Sequence, residues 1–370
     1  MDIKKLGEIC DVVSGGTPSR TNTAFWDGGI IPWIKIGNIK GKYVSEADEY
    51  ITQAGLEGSS AKILSKGTVL YTIFATLGEA GILTIDACTN QAIAGITIKN
   101  QDEVLADYLY YYLKSKKSYI NNLGRGVAQN NINLSILRNL EIPLPALPVQ
   151  RQTVDILDKT AKVIEYRRQQ LQNLDDIVKA RFVEMFGDPL KNEKCLPTIS
   201  GEALFKLSNG KALPNNKRFD KGVPAYGGNG ISWYTDEILC NYDTIIVGRV
   251  GFQSGNVHLV KAPLWVTDNA MYISYINSRK CDIRYLCALM EHIDFTRYQD
   301  AGDLKKITQK PFMQMHYLMP PLPLQKRYIA FVAQVDKSRF VAQQALDKAQ
   351  LLFDSLDRKS TRLNSSHPSR

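Results

Sequence analysis

The side chains suited to reading a base edge or holding a phosphate lie in Gly-, Asn- and Ser-rich stretches. In the first half of the chain they are Lys35, Asn38, Asn90, Gln91, Arg125, Gln129, Asn130 and Asn131. In the second half they are Asn229, Arg249, Gln253, Asn269, Lys305 and Lys306. A carboxamide matches the donor and acceptor of adenine, a guanidinium matches guanine, and an ammonium holds a phosphate. Each residue taken singly also fits a turn hydrogen bond or a solvated charge. Asn90, Gln91, Asp268 and Asn269 recur at matching places in both halves, so buried capping groups are a second reading for them.

Covalent chemistry finds little to work with. No Walker A loop is present: Gly41-Lys42 and Gly210-Lys211 are followed by Tyr and Ala. No GxSxG elbow, HExxH pair or Asn/Asp-Pro-Pro-aromatic loop occurs. Asp2-Ile-Lys4 and Asp303-Leu-Lys305 fit the short D-x-K of metal nucleases, but neither follows a Pro-Asp pair. We read both as surface charge. Six cysteines without CxxC spacing and four histidines argue against a structural zinc or a disulfide framework.

The loops must be positioned by something, and the chain repeats itself. Ile142-Pro-Leu-Pro-Ala-Leu-Pro-Val-Gln150 and Tyr317-Leu-Met-Pro-Pro-Leu-Pro-Leu-Gln325 align at an offset of 175, placing Pro145 on Pro320 and Gln150 on Gln325. Thr89-Asn-Gln-Ala92 meets Thr267-Asp-Asn-Ala270 at 178, and Tyr108-Leu109 meets Tyr285-Leu286 at 177. Upstream, Glu8 to Gly16 aligns with Glu202 to Gly210 at 194, so the first module carries extra residues near its start. The order is module, Pro elbow, helix, twice over.

Each elbow precedes a long helical pattern. The first should run from about Val149 to Phe186, ended by Gly187-Asp-Pro189. Its heptad seam is Val154, Leu157, Ala161, Ile164, Arg168, Leu171, Asp175, Val178, Phe182 and Met185. The second should run from about Leu324 to Leu356, with the seam Phe331, Val335, Ser338, Ala342, Ala345, Ala349, Leu352 and Leu356. Long narrow seams predict that the two helices pack on each other. The modules read as strand-rich. Gly67 to Phe74, Ile93 to Ile98, Thr244 to Arg249 and Ala270 to Ile276 are predicted strands. Asp107 to Ile120 and Ile283 to Phe295 are predicted short helices.

Length, 370 residues, allows two or three domains, and 44% hydrophobic residues supply a core. The net charge of +9 permits an acidic polymer as partner without identifying one. The N-terminal sequence lacks a signal-peptide apolar region and no stretch is apolar enough to span a membrane, so a cytoplasmic location is expected.

At this point the residues resemble a known family. Ile31-Pro-Trp-Ile-Lys-Ile-Gly-Asn38 resembles a stretch common early in the target-recognition domains of type I restriction–modification specificity subunits, and Thr89-Asn-Gln-Ala92 resembles their NQA stretch. Gly248-Arg to Gly255-Asn-Val257, with Trp265-Val-Thr-Asp-Asn-Ala270, resembles another version of that domain. Arg181-Phe-Val-Glu-Met-Phe-Gly-Asp188 resembles the usual end of the central helix. The resemblance covers about residues 3–357. It implies two target-recognition domains, each reading half of a bipartite double-stranded DNA site, and two antiparallel helices that fix the gap. It also implies partners: two DNA adenine methyltransferase subunits that bind S-adenosylmethionine, and an ATP- and Mg-dependent restriction subunit. The tail from Asp357 to Arg370 departs from the family pattern and reads as disordered or foreign.

The expected fold class is therefore α+β, two similar strand-rich target-recognition domains alternating with two long helices packed as an antiparallel coiled-coil-like spacer. The expected segments are 1–141, 142–189, 190–316, 317–357 and a tail at 358–370. The expected function is that of a non-catalytic DNA-recognition subunit, with no cofactor in this chain and no membrane partner. The expected DNA-binding set is Lys35, Asn38, Arg125, Gln129, Asn130, Asn229, Arg249, Gln253, Lys305 and Lys306. Rival readings are a self-contained nuclease with Asp303 and Lys305 at a metal, and a scaffold that binds no DNA.

Overall fold

The computed structural model describes residues 2–124, 131–302 and 305–362. Contacts divide the chain into two compact units, 1–167 with 345–370, and 168–344. Each unit is a strand-rich module plus a stretch of both long helices.

In the first unit a five-stranded sheet runs in the order Cys10–Ser14, Ile93–Ile98, Val69–Thr72, Ala80–Leu83, Tyr43–Val44. Val69–Thr72 and Ala80–Leu83 are buried throughout, which is why both read as unbroken apolar runs rather than alternating ones. A three-stranded sheet follows the order Glu49–Ile51, Ile31–Ile34, Cys88–Thr89, the last pair parallel. Asp2–Lys5 pairs with Glu141–Leu144 beneath them.

The second unit repeats this plan. Its four-stranded sheet has the order Phe205–Asn209, Ala270–Ile276, Thr244–Gly248, Val257–Val260. Its three-stranded sheet has the order Gly230–Thr235, Val223–Gly227, Trp265–Val266, again with the last pair parallel. Thr198–Ser200 pairs with His316–Leu318 as Asp2–Lys5 does with Glu141–Leu144. The extra residues of the first module fall between Ile34 and Val69, where Tyr43–Val44 adds a fifth strand parallel to Ala80–Leu83. Beside it Lys42 reaches Asp107 (2.7 Å) and Asp158 (2.6 Å), joining this strand to two helices of the same unit.

The predicted strands sit where expected, Ile93–Ile98 and Ala270–Ile276 to the residue. One alignment moves. Cys10 pairs with Ile98 as Phe205 pairs with Ile276, an offset of 195 rather than 194, so Gly15 rather than Gly16 is the counterpart of Gly210. Gly15 N–H donates to Ile93 and Gly210 N–H to Ala270 at the same corner. The predicted helix 107–120 is two helices, Ala106–Ser115 and Lys117–Gly124. That at 283–295 is Ile283–Glu291 followed by a 3₁₀ turn, Phe295–Tyr298.

The elbows are latched identically. Gln150 is fully buried; its amide donates to the carbonyls of Glu103 (2.8 Å) and Pro145 (2.9 Å), and its oxygen accepts from Leu105 N–H (3.0 Å). Gln325 does the same with Lys280 (2.9 Å), Pro320 (2.8 Å) and Asp282 N–H (2.9 Å). Tyr108 and Tyr285 repeat one another too, donating to Pro143 and Leu318 carbonyls.

The long helices are Leu147–Phe186 and Leu322–Arg362. In the second unit they pack antiparallel. Phe182 meets Tyr328 edge-on at 5.5 Å, Arg181 lies over Phe331 at 5.6 Å, and Asp175 pairs with Arg339. In the first unit Val154, Leu157 and Phe353 share one core, with Phe353 edge-on to Tyr111. The first seam follows the predicted one except at Arg168, which is exposed, and at its end, where Phe186 rather than Met185 is fully buried. The second seam is corrected at two positions. Val335, Ala342 and Ala349 are buried and Phe331 and Ala345 half-buried as expected, but Ser338 and Leu352 face out while Arg339 and Phe353 turn inward, and the Leu356 side chain lies outside the described residues. The second helix also continues past 357, and residues 363–370 lie outside the described set. Among the described residues no helix is long and apolar enough to cross a membrane.

Candidate nucleic-acid interface

Strand direction decides which loops meet. In the second unit, Thr244–Gly248 leaves the sheet where Val257–Val260 enters it, which puts the 249–256 loop at that end. Ala270 opens its strand at the same end, so 267–269 lies alongside. Val223–Gly227 delivers the 228–229 tip there as well, because it runs parallel to Trp265–Val266. Gly228 comes so close that a Cβ on it would stand 2.8 Å from the Gly248 Cα. A side chain is excluded at this crossing of two loops.

Backbone hydrogen bonds complete the cluster. Arg249 N–H donates to the Asn269 carbonyl (2.9 Å), Gly251 N–H to Lys305 (2.8 Å), Asp300 N–H to Lys306 (2.8 Å) and Ile307 N–H to Arg249 (3.0 Å). Asn229, Arg249, Gln253, Asn269, Lys305 and Lys306 are thus brought together at one end of the module. Asn229, Gln253, Asn269 and Lys306 are exposed, and Arg249 and Lys305 are half-buried. The Arg249 guanidinium donates weakly to the Asp268 carbonyl (3.4 Å). At the loop tip stands Phe252, 91% exposed. A search among amides and cations passes over it. Its signal is a lone aromatic inside Gly251-Phe-Gln-Ser-Gly255.

The first unit presents the corresponding end. Lys35 and Asn38 follow Ile31–Ile34 and stand beside Asn90, whose N–H donates to the Ile34 carbonyl (3.1 Å). Asn38 Oδ1 accepts from Lys35 N–H (2.8 Å), closing a 3₁₀ turn. Lys35 Nζ lies 2.5 Å from Glu49 Oε1, and Arg20 Nη2 lies 2.6 Å from Glu49 Oε2. The Lys35 ammonium, with Arg20 behind it, holds the Glu49 carboxyl below its ordinary range. Asn131 is half-buried and bridges to Phe74, as Lys306 bridges to Val250 in the second unit. Arg125, Gln129 and Asn130, like Asp303, lie outside the described residues.

The buried-cap alternative holds for one residue of four. Asn90 is half-buried and its Oδ1 accepts from Ala92 N–H (3.2 Å). Gln91, Asp268 and Asn269 are exposed. A tip that projects from the sheet end leaves such side chains in solvent. Among the described residues, no three His, Cys, Asp or Glu side chains come together in a metal-holding group.

This geometry agrees with relatives. The family model for the type I restriction modification DNA specificity domain matches residues 1–175. The type I restriction enzyme MjaIX specificity subunit of Methanocaldococcus jannaschii is 33% identical over 200 residues, 52% of this chain and 46% of that protein. The chain therefore aligns with under half the length of that relative. The EcoprrI specificity subunit of Escherichia coli is 23% identical over 353 residues, 90% of this chain and 86% of its own. The crystal structure of a type I restriction-modification S subunit from M. genitalium has a TM-score of 0.60 at 16% identity, covering 100% of this chain and 96% of that one, a likeness of fold. A duplicated module–elbow–helix plan, a matched domain and these relatives lead to one conclusion: residues 1–175 carry a type I restriction modification DNA specificity domain, and the chain as a whole is similar to type I specificity subunits.

Proposed function

We propose that the chain is the sequence-specific double-stranded DNA recognition subunit of a type I restriction–modification complex. Each module reads one half of a bipartite site with the loop cluster at its sheet end, and the paired helices hold the half-sites a fixed gap apart. The observation that carries this reading is the duplication of the loop cluster. Two copies of one strand plan deliver the corresponding loops to the corresponding sheet end, and in the second the loops carry Arg, Lys, Asn and Gln together. Amide and guanidinium groups there suit base edges in the major groove, and the lysines suit phosphates.

Chemistry is then delegated. Two adenine methyltransferase subunits would bring S-adenosylmethionine, and a restriction subunit would bring ATP and Mg; this chain would carry neither cofactor nor catalytic group. Docking of the methyltransferases on the helices is supported by apolar side chains on outward faces. Val149, Ile156 and Val163 recur every seven residues in the first unit, and Phe340 and Val341 are exposed in the second. The test is methylation by the reconstituted complex on a library of duplexes. Exchange of 190–316 for the equivalent segment of another subunit should change one half of the methylated site and leave the other half and the gap unchanged. An unchanged site overturns the proposal.

A further inference from the structure

Two arginines absent from the candidates above lie in the same connection of the two modules. Arg20 lies between strands Cys10–Ser14 and Ile31–Ile34, and Arg218 between Phe205–Asn209 and Val223–Gly227. Each guanidinium lies over a tryptophan ring. The Arg20 guanidinium carbon sits 3.7 Å above the Trp26 ring and 4.9 Å from Trp33, with the two indoles edge-to-face at 5.1 Å. The Arg218 carbon sits 4.1 Å above Trp233.

The tryptophans are placed differently in the two units: Trp26, the nearer one to Arg20, follows the 3₁₀ turn Thr23–Phe25 in the same connection. Trp33 pairs with Glu49 across the three-stranded sheet of the first unit, and Ala225 pairs with Trp233 across that of the second. The two units therefore use differently placed indoles, a loop and a strand residue in the first and a strand residue in the second, and each brings a guanidinium over one of them. A second contact fixes each fork in its plane. Arg20 Nη2 is held by Glu49 at 2.6 Å; Arg218 Nε and Nη2 both donate to the Leu213 carbonyl at 3.1 and 2.8 Å. Neither arginine is consumed by these contacts, since the Arg20 side chain remains 52% exposed and Arg218 is exposed.

A solvent-exposed arginine ordinarily gives up rotamer freedom when it binds. Stacking on an indole and a second anchor remove that cost beforehand. What such a pre-set fork recognises follows from its recurrence. Modules that read different half-sites gain nothing from reading the same base with the same residue. A contact that both need whatever the sequence is one to the sugar–phosphate backbone. We propose that Arg20 and Arg218 are a matched pair of phosphate clamps, one per module, that seat each module on the duplex before its loops read bases. This rests on the DNA-recognition reading above.

The experiment uses the full chain assembled with its methyltransferase subunits. Binding to a random-sequence duplex and to a duplex selected by the complex is measured across a range of salt concentrations. Each clamp lost should flatten the slope of log K against log salt by about 0.9, and the pair R20A/R218A by about 1.8, on both duplexes alike. R20K/R218K keeps the charges and loses the stacked fork, so it should retain the slope and bind more weakly. A loss confined to the selected duplex marks base readers, and an unchanged slope with a lower Tm marks structural residues; either overturns the clamp. Wild type that binds neither duplex overturns the DNA-recognition reading instead.

Discussion

Arg339 sets both Nε (3.1 Å) and Nη2 (2.7 Å) on one carboxylate oxygen of Asp175, joining the two long helices inside the second unit. They are polar positions within two largely apolar seams, and they meet each other. The Arg339 fork also reaches Asp336 on its own helix. The pair is half-exposed, so its net worth is about 0.2–1 kcal/mol. Asp175→Ala should cost that much in urea unfolding, and Arg339→Ala added to it should cost little more. Additive losses would show that the two residues act separately.

Gln150 and Gln325 are a different case, because they are fully buried. Replacing either by Leu strands two carbonyls and one N–H at the elbow. We expect each substitution to cost about 2–4 kcal/mol in thermal unfolding of the chain. A loss below about 0.5 kcal/mol would show that the elbow has other means of holding its shape.

Arg249 stands in the loop cluster without an ion-pair partner among the described residues. Arg249→Ala should weaken recognition of one half-site by about 1–3 kcal/mol and relax preference at one base pair. Binding of selected duplexes with single base changes checks this. Equal loss on every duplex would make Arg249 a backbone contact.

Phe252 contributes almost no buried area, so Phe252→Ala should leave Tm within about 1 °C. An aromatic bared at a reading tip suits stacking on a base or wedging between base steps. The substitution should therefore weaken binding to the selected duplex. Unaltered binding would leave the exposed ring without a role in recognition.

Glu49 links acid stability to the first loop cluster. Lys35 and Arg20 lower its pKa in the folded chain below the ordinary 4.5. The stability it contributes is complete above the ordinary value and is lost as pH falls through the lowered one. Glu49→Gln should flatten the decline in urea midpoint between about pH 5 and about pH 3. Parallel wild-type and variant curves would contradict the assignment.

Much of the fold was legible because the repeat writes it twice. Pro145 and Pro320, Gln150 and Gln325, and the paired strands Ile93–Ile98 and Ala270–Ile276 keep a common spacing, and each copy corroborates the other. Phase in the second helix was not legible. Leu352 and Phe353 are neighbouring apolar residues, so composition cannot say which faces inward, and at Phe331 and Val332, as at Ala345 and Leu346, both members are half-buried. Arg339 could be placed only once Asp175 was opposite it. The candidate site divides the same way. Residue type found Arg249, Gln253 and the lysines, which the strand ends gather. It missed Arg20 and Arg218, whose distinction is a tryptophan beneath each: Trp26 is close to Arg20 in sequence, but Trp233 meets Arg218 only through the bridge between Phe219 and Tyr234, which no local spacing records.

We propose above all that two modules read two half-sites independently across a set gap. The most direct measurement is the sequence methylated by the reconstituted complex after residues 190–316 are exchanged for those of another specificity subunit. The expected result is a site with one half replaced and the other half and the spacing retained. A site unchanged by the exchange, or altered in both halves at once, would contradict it.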